Sequence, residues 1–393
     1  MHRSGSARFG RTLTVQVRLR RNADNAWGRA QAPATIGPRV AVSSPPGSKN
    51  PLARGGLLAV LAAFSFGVTT PLIQRLAEVS GAFSTAALLY AGAALASLGA
   101  RSKANREAPI RRRHVRRLVL VALVGAVFAP VCFAWGLQHT SGSGASLLLN
   151  FEAVFTVLLA WRIYHEPIGG RVGVALAVMV AGGACLVAGG NANGPVGWGA
   201  VAVVLATLGW ALDNALSRPL ADLNPTQVVR WKGALGAAFG LVASRALRET
   251  LPSPAAALGL LAIGATGYGL SLRLYLLAQR RIGAARTGSI FALAPFVGAG
   301  AAWAMGDRVA GFPTVAATGL FAVGVYLHLT ERHRHPHTHE PMDHEHAHRH
   351  DDGHHDHPHE PAVEGEHSHV HRHDEQTHDH PHAPDAHHIH RHV

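Results

Sequence analysis

Two groups of residues in this 393-residue chain combine reactive side chains with spacing that could use them. The first lies within apolar sequence. Glu152 follows Asn150 by two residues in SLLLNFEAVFTVLLAW, a stretch with no other acid. A carboxyl group in hydrocarbon is costly unless it is protonated, paired or turned toward water, so Glu152 is a candidate proton-exchange group. The simpler reading is a neutral acid hydrogen-bonded to a neighbouring helix. Asp213 and Asn214 stand in GWALDNALSRPL, and Arg230 and Lys232 in VVRWKGALG. A turn near Asp222 lies nine residues after Asp213 and ten before Lys232. Antiparallel helices would bring the two charges to one depth, and an ion pair is expected there, because pairing is the usual resolution of buried charge. A pin between helices is the plain reading of that pair and a transport role the sharper one. Trp210 and Tyr268, with Trp135, Gln138, Tyr275 and Trp303, could line a cavity, although Trp and Tyr also collect at membrane interfaces.

The second group is a tail of histidines, residues 330–393, whose low apolar content predicts that it is disordered. His333, His335, His337 and His339 alternate, as do His344, His346, His348 and His350, followed by His354, His355, His357 and His359. Alternate residues of an extended chain point to one side, so neighbouring imidazoles can share an ion. Imidazole suits Zn, Ni, Co or Cu, and interspersed Asp343, Glu345, Asp351, Asp352 and Asp356 add attraction for cations. His-rich tracts read as metal-binding. The alternative is a soluble polyelectrolyte that gains charge below pH ~6.5 and senses acidity.

The sequence around these residues divides sharply. The chain is 48% hydrophobic and only 15% charged, against roughly 25% charged residues in an ordinary soluble domain. From Glu331 to Val393 there are 14 acids against 5 Lys and Arg, a net −9, and 23 of the 28 histidines. The remainder carries a net +22. Most of those bases lie in short stretches between apolar runs, which argues against nucleic acid as a partner. Residues 1–53 are Arg-rich, include a single acid, Asp24, and show no apolar stretch of signal-peptide type. They are expected to be disordered, or to reflect a start codon placed too early.

Apolar runs follow at about 55–76, 81–100, 117–138, 142–163, 171–190, 196–217, 226–246, 254–278, 285–305 and 309–328. Each is near the ~20 residues that cross ~30 Å of hydrocarbon. The expected fold is therefore an all-α integral membrane protein of ten transmembrane helices. Arginines between 101 and 117 mark that loop as cytoplasmic, and alternation from it puts both termini, and the tail, on the cytoplasmic side. Arg245, Arg248 and Arg308 vote the other way. Gly144–Glu166 resembles Ala285–Asp307 in pattern. Five spans per repeat is odd, so the two repeats, residues 54–190 and 195–329, should run in opposite orientation, with a site between them. Cys132 and Cys185 offer neither a disulfide framework nor a paired metal motif.

Taken in order, FGVTTPLIQ, SLLLNFEAVFTVLLAW, GWALDNALSRPL, GYGLSLRLYLLAQRRIGAARTG and ALAPFVGA resemble the EamA family of drug/metabolite transporters, in a branch ending in a His-rich tail. The resemblance implies ten helices in two inverted bundles and gradient-driven efflux of small polar solutes. It departs at Ser65-Phe66-Gly67, where many members have Trp-Gly, and near Tyr90, where many have an Arg matching Arg230. No phosphate-binding loop, nucleophile elbow or HExxH is present. The expectation is a non-enzymatic exporter, with no cofactor required, in a bacterial inner membrane. Its partners would be the lipid bilayer, a small-molecule solute and divalent metal at the tail, with a homodimer left open. A carrier of Zn, Ni or Co or of a metal–chelator complex, and a membrane-anchored metal store, are the alternatives. The apolar runs contain no His cluster and no paired acids, which disfavours direct passage of metal through the bundle.

Overall fold

The computed structural model describes residues 51–99, 109–164, 168–189, 197–217, 220, 223–282, 284–307, 311–330, 336–339, 342–348, 367–373 and 376–379. Among these, seven helical stretches are long and apolar enough to cross a membrane. They are Arg54–Leu76, Arg112–Gln138, Gly142–Ile163, Gly170–Ala188, Trp198–Ser217, Pro254–Ala278 and Phe312–Leu329, and Ala82–Leu98 is a shorter apolar helix. Every described element from Pro51 to Leu329 is helical.

Several stretches are interrupted, most of them beside a proline or glycine. The first runs as α1 (Pro51–Gly67) and α2 (Thr69–Leu76), with Pro71 in the first turn of α2. After α3 (Ala82–Leu98), α4 (Val115–Ala122) passes through a wide π-helical segment, Leu123–Phe128, into α5 (Ala129–Gln138). Pro130 lacks the N–H that would bond four residues back, and the widened turn absorbs its ring. α6 (Gly142–Leu148) and α7 (Phe151–Tyr164) break at Leu149–Asn150. α8 (Gly170–Gly189), α9 (Trp198–Ser217) and α10 (Pro225–Ala246) are continuous. α11 (Pro254–Ile263) leads through a second π-helical segment, Gly264–Leu270, to α12 (Ser271–Ile282). α13 (Ala284–Phe291) and α14 (Ala294–Ala304) break just before Pro295, and α15 (Phe312–Leu329) closes the bundle.

Packing follows small residues. α3 lies along α10, α15 along α8, α12 along α1, α9 along α5 and α7, and α14 along α6. At Gly92 a Cβ would collide with the Leu261 carbonyl, so only glycine permits that approach of α3 and α11. The main core joins Ile73, Leu89, Phe133, Leu148, Trp210, Leu260 and Tyr268. Outer faces expose Leu57, Phe64, Val242, Leu258, Phe312 and Tyr326, as expected of surfaces that meet lipid.

The tail departs from the unstructured, all-α expectation at four stretches. β1 (Pro336–His339) pairs antiparallel with β4 (Gln376–Asp379), and β2 (Met342–His348) with β3 (His367–His373).

Candidate functional site

α9 presents two adjacent polar residues to two different neighbours. Asn214 Nδ2 donates to Glu152 Oε1 of α7 at 2.8 Å. Asp213 Oδ2 pairs with Lys232 of α10, the ion pair that the depth count anticipates. Ser217 Oγ adds a donor to Asp213 Oδ1 at 3.3 Å. Residues 100° apart on a helix face different neighbours, so one turn of α9 couples α7 to α10. Asp213 is buried, Glu152 half-buried and Asn214 exposed, which puts the Glu152–Asn214 pair at the open edge of the cluster.

Beside these groups lies an aromatic wall. Tyr90 of α3 donates through its hydroxyl to Gly125 O at 2.6 Å. Its ring meets Tyr268 edge-on at 5.5 Å, Tyr268 meets Phe66 at 5.7 Å, and Phe66 meets Trp210 at 6.5 Å. Trp210 in turn meets Phe133 at 5.4 Å. Tyr268 is 8% exposed, and its hydroxyl has no hydrogen-bond partner among the described residues. The two π-helical segments both present carbonyls to this region. The third residue of each accepts a side-chain bond from another helix: Gly125 O from Tyr90, and Thr266 O from Ser65 Oγ at 3.1 Å. A π-type turn disrupts the regular ladder and leaves carbonyls available for such contacts.

Several expected roles shift. Arg230, two residues from Lys232, donates to Ser97 O at 2.8 Å, near the C-terminal end of α3, where carbonyls lack helical partners. Asn150 is buried at the α6–α7 break, where Nδ2 donates to Leu147 O at 2.8 Å. Gln138 ties two helix ends together. Its amide donates to Ala77 O at 2.5 Å and Ser80 O at 2.7 Å, while Gln74 donates to Leu137 O at 3.1 Å and Thr140 O at 2.9 Å. The two glutamines thus clasp each other's helix ends. Trp135 stacks on His139 at 4.0 Å, and Trp303 lies on an exposed face. Sequence reasoning missed Gly125 and Tyr90 as members of the cluster, since no spacing connects them to Asp213, whereas Ser217, four residues on along α9, could have been found from helical spacing.

Of the tail residues, His333, His335, His350, His354, His355, His357 and His359 fall outside the described residues. His337, His339, His344, His346 and His348 lie in β1 and β2 as backbone. Among the described residues there is no group of three or more His, Cys, Asp or Glu placed to hold a metal.

Apolar helices of spanning length around a small buried polar cluster define a multi-pass helical membrane protein. The EamA-like transporter family matches residues 53–188 and 197–330, more than half of the chain in two copies, and the chain belongs to that family. It is 30% identical over 203 residues to an uncharacterized transporter of Methanothermobacter thermautotrophicus, half of this chain and 59% of that protein's length. A protein of known crystal structure aligns with a TM-score of 0.52 and 17% identity over 71% of this chain and 98% of its own, a likeness of fold. The chain is thus a multi-pass membrane protein of a transporter family.

Proposed function

We propose that this chain is a secondary active exporter of a small organic solute, in which Glu152 exchanges the coupling proton. The observation that carries this reading is the Glu152–Asn214 contact. Glu152 is hydrogen-bonded to a neutral amide, whereas the nearby ammonium of Lys232 is paired with Asp213. A carboxyl group whose partner is neutral can gain and lose a proton without stranding the Lys232 ammonium, which Asp213 already neutralises. The Tyr268 hydroxyl, without a hydrogen-bond partner among the described residues, supplies a donor for a polar atom of the solute.

The architecture behind this reading is ten spans in two inverted copies, with both termini cytoplasmic in a bacterial inner membrane. Helix pairing supports it: α3–α10 and α8–α15 join corresponding elements of the two copies, α6–α14 joins opposite halves of the corresponding broken stretches, and α1–α12 has its counterpart in α5–α9. The matched π-helical segments and the matched breaks at Leu149–Asn150 and Ala292–Leu293 fit the same relation. The histidine tail is proposed as a cytoplasmic metal sensor or buffer that regulates transport.

The test is reconstitution into liposomes with an imposed proton gradient, combined with metabolite and metal profiling of cells with and without the gene. Glu152→Gln retains an oxygen acceptor for Asn214 and is expected to abolish gradient-driven efflux in a folded protein. Full efflux by that variant would sink the proton assignment. Removal of residues 333–393 examines the alternative, delivery of metal to the bundle, which the density of tail histidines favours. Unchanged zinc, nickel and cobalt tolerance with transport intact would exclude delivery.

A further inference from the structure

Two helices of the second family copy, α10 and α14, end in the same way. A left-handed residue follows each helix, Arg248 at φ 55° and Gly306 at φ 105°. The next residue is an acid. Its amide returns to a carbonyl five residues back, Glu249 to Ser244 O and Asp307 to Ala302 O, both at 3.0 Å. The turn is of the Schellman type, and it fixes the direction in which the acid leaves the helix. Each carboxylate then crosses to the start of a helix in the first copy. Glu249 accepts from Phe83 N at 3.1 Å and Ser84 N at 2.9 Å, at the head of α3. Asp307 Oδ2 accepts from Ser143 N at 2.8 Å and Ser143 Oγ at 3.0 Å, at the head of α6. A Cβ at Gly81 would occupy the space of the Glu249 side chain, so the first copy is shaped to seat it. Arg75, at the end of α2, crosses in the reverse direction to Met305 O.

We propose that Asp307 and Glu249 form a paired latch, which holds this end of the bundle shut until both carboxylates leave their amides. The inference rests on the transporter reading, which requires an end that opens. Charge-assisted bonds to exposed helix starts are strong enough to hold a closed state, yet can be replaced by water when the end opens. Behind the latch lie Ser146, enclosed between α6 and α14, and Thr85 of α3, both fully buried.

The experiment uses the full chain with Cys132→Ala and Cys185→Ala, carrying one new cysteine. Ser146→Cys and Thr85→Cys report on the closed end. Val79→Cys (77% exposed, just after α2) reports on reagent access, and Val203→Cys on the distant core, where the residue is fully buried. A membrane-impermeant maleimide is applied to each face of oriented vesicles. Adding Asp307→Asn should accelerate labelling of the Ser146→Cys protein, and adding Glu249→Gln that of the Thr85→Cys protein. About tenfold or more is expected, as loss of a charge-assisted hydrogen bond implies. The Val203→Cys thiol should stay slow with either change. Unaccelerated labelling at position 146 or 85 while the Val79→Cys thiol reacts readily, or equal acceleration at position 203, overturns the latch. No solute enters this assay. A latch that opens in a protein that moves no protons would overturn the transport reading alone.

Discussion

Asp213 occupies the space that Gly125 leaves empty: a Cβ on Gly125 would collide with the carboxyl carbon of the aspartate. The glycine lies in the first π-helical segment, and its carbonyl holds Tyr90. Backbone and side-chain roles therefore meet at one residue. Gly125→Ala should push Asp213 off Lys232. Overpacking costs about 1–3 kcal/mol, and a broken buried pair about 3–5 kcal/mol when its partner is stranded. The expected result is a clear fall in the temperature at which the detergent-solubilised protein loses its monodisperse peak. Gly173→Ala, where nothing lies within 4 Å, should leave that temperature unchanged or slightly higher.

The Asp213–Lys232 pair itself is tested by a different contrast. Lys232→Met leaves Asp213 charged, buried and unpaired, and should lower folded yield by far more than Lys232→Arg. The double change Asp213→Asn with Lys232→Met removes both charges, and should recover most of the loss. Equal, wild-type yields for Lys232→Met and Lys232→Arg would show that the pair contributes nothing to folding.

That pair is legible in the sequence because it follows from helix rise and loop position, which are local quantities. The same holds for the helices, whose ends fall within a few residues of the apolar runs: the run at 226–246 becomes the helix Pro225–Ala246. Glu152 and Asn214 are each recognisable as costly polar residues, but their contact is not. It depends on α7 packing beside α9, a non-sequential pairing that no spacing encodes. Arg230 shows the same limit: it stands two residues from Lys232 in the sequence, yet its guanidinium reaches a carbonyl at the end of α3. Pro71, Pro130 and Pro295 mark where helices are interrupted. Whether an interruption becomes a π-type turn or a two-residue break depends on the neighbouring helix, and so lies beyond the sequence.

Arg248 adopts a left-handed conformation at φ 55°, whereas Gly306 fills the matching position without penalty. For a residue with a Cβ that conformation costs roughly 1–2 kcal/mol. Glycine's greater freedom when unfolded returns part of this, so Arg248→Gly should stabilise the protein by about 0.5–1 kcal/mol. A small rise in unfolding temperature would report it, and the side chain is exposed, so little else changes. A fall would mean that the guanidinium makes a compensating contact.

Tyr268 separates stability from function most cleanly. Its ring is held edge-on by Tyr90 and Phe66, contacts that phenylalanine would keep. Its hydroxyl is buried and contributes no hydrogen bond among the described residues, so it is a cost in the folded state. Tyr268→Phe should therefore raise the unfolding temperature, by the equivalent of about 1 kcal/mol or less. If the hydroxyl serves the solute, the same change should raise the half-saturating concentration of the exported solute about three- to tenfold, the range of one neutral hydrogen bond. A variant that is more stable and binds more weakly identifies Tyr268 as a ligand contact retained at the expense of stability. Greater stability with unaltered transport would assign Tyr268 to packing alone.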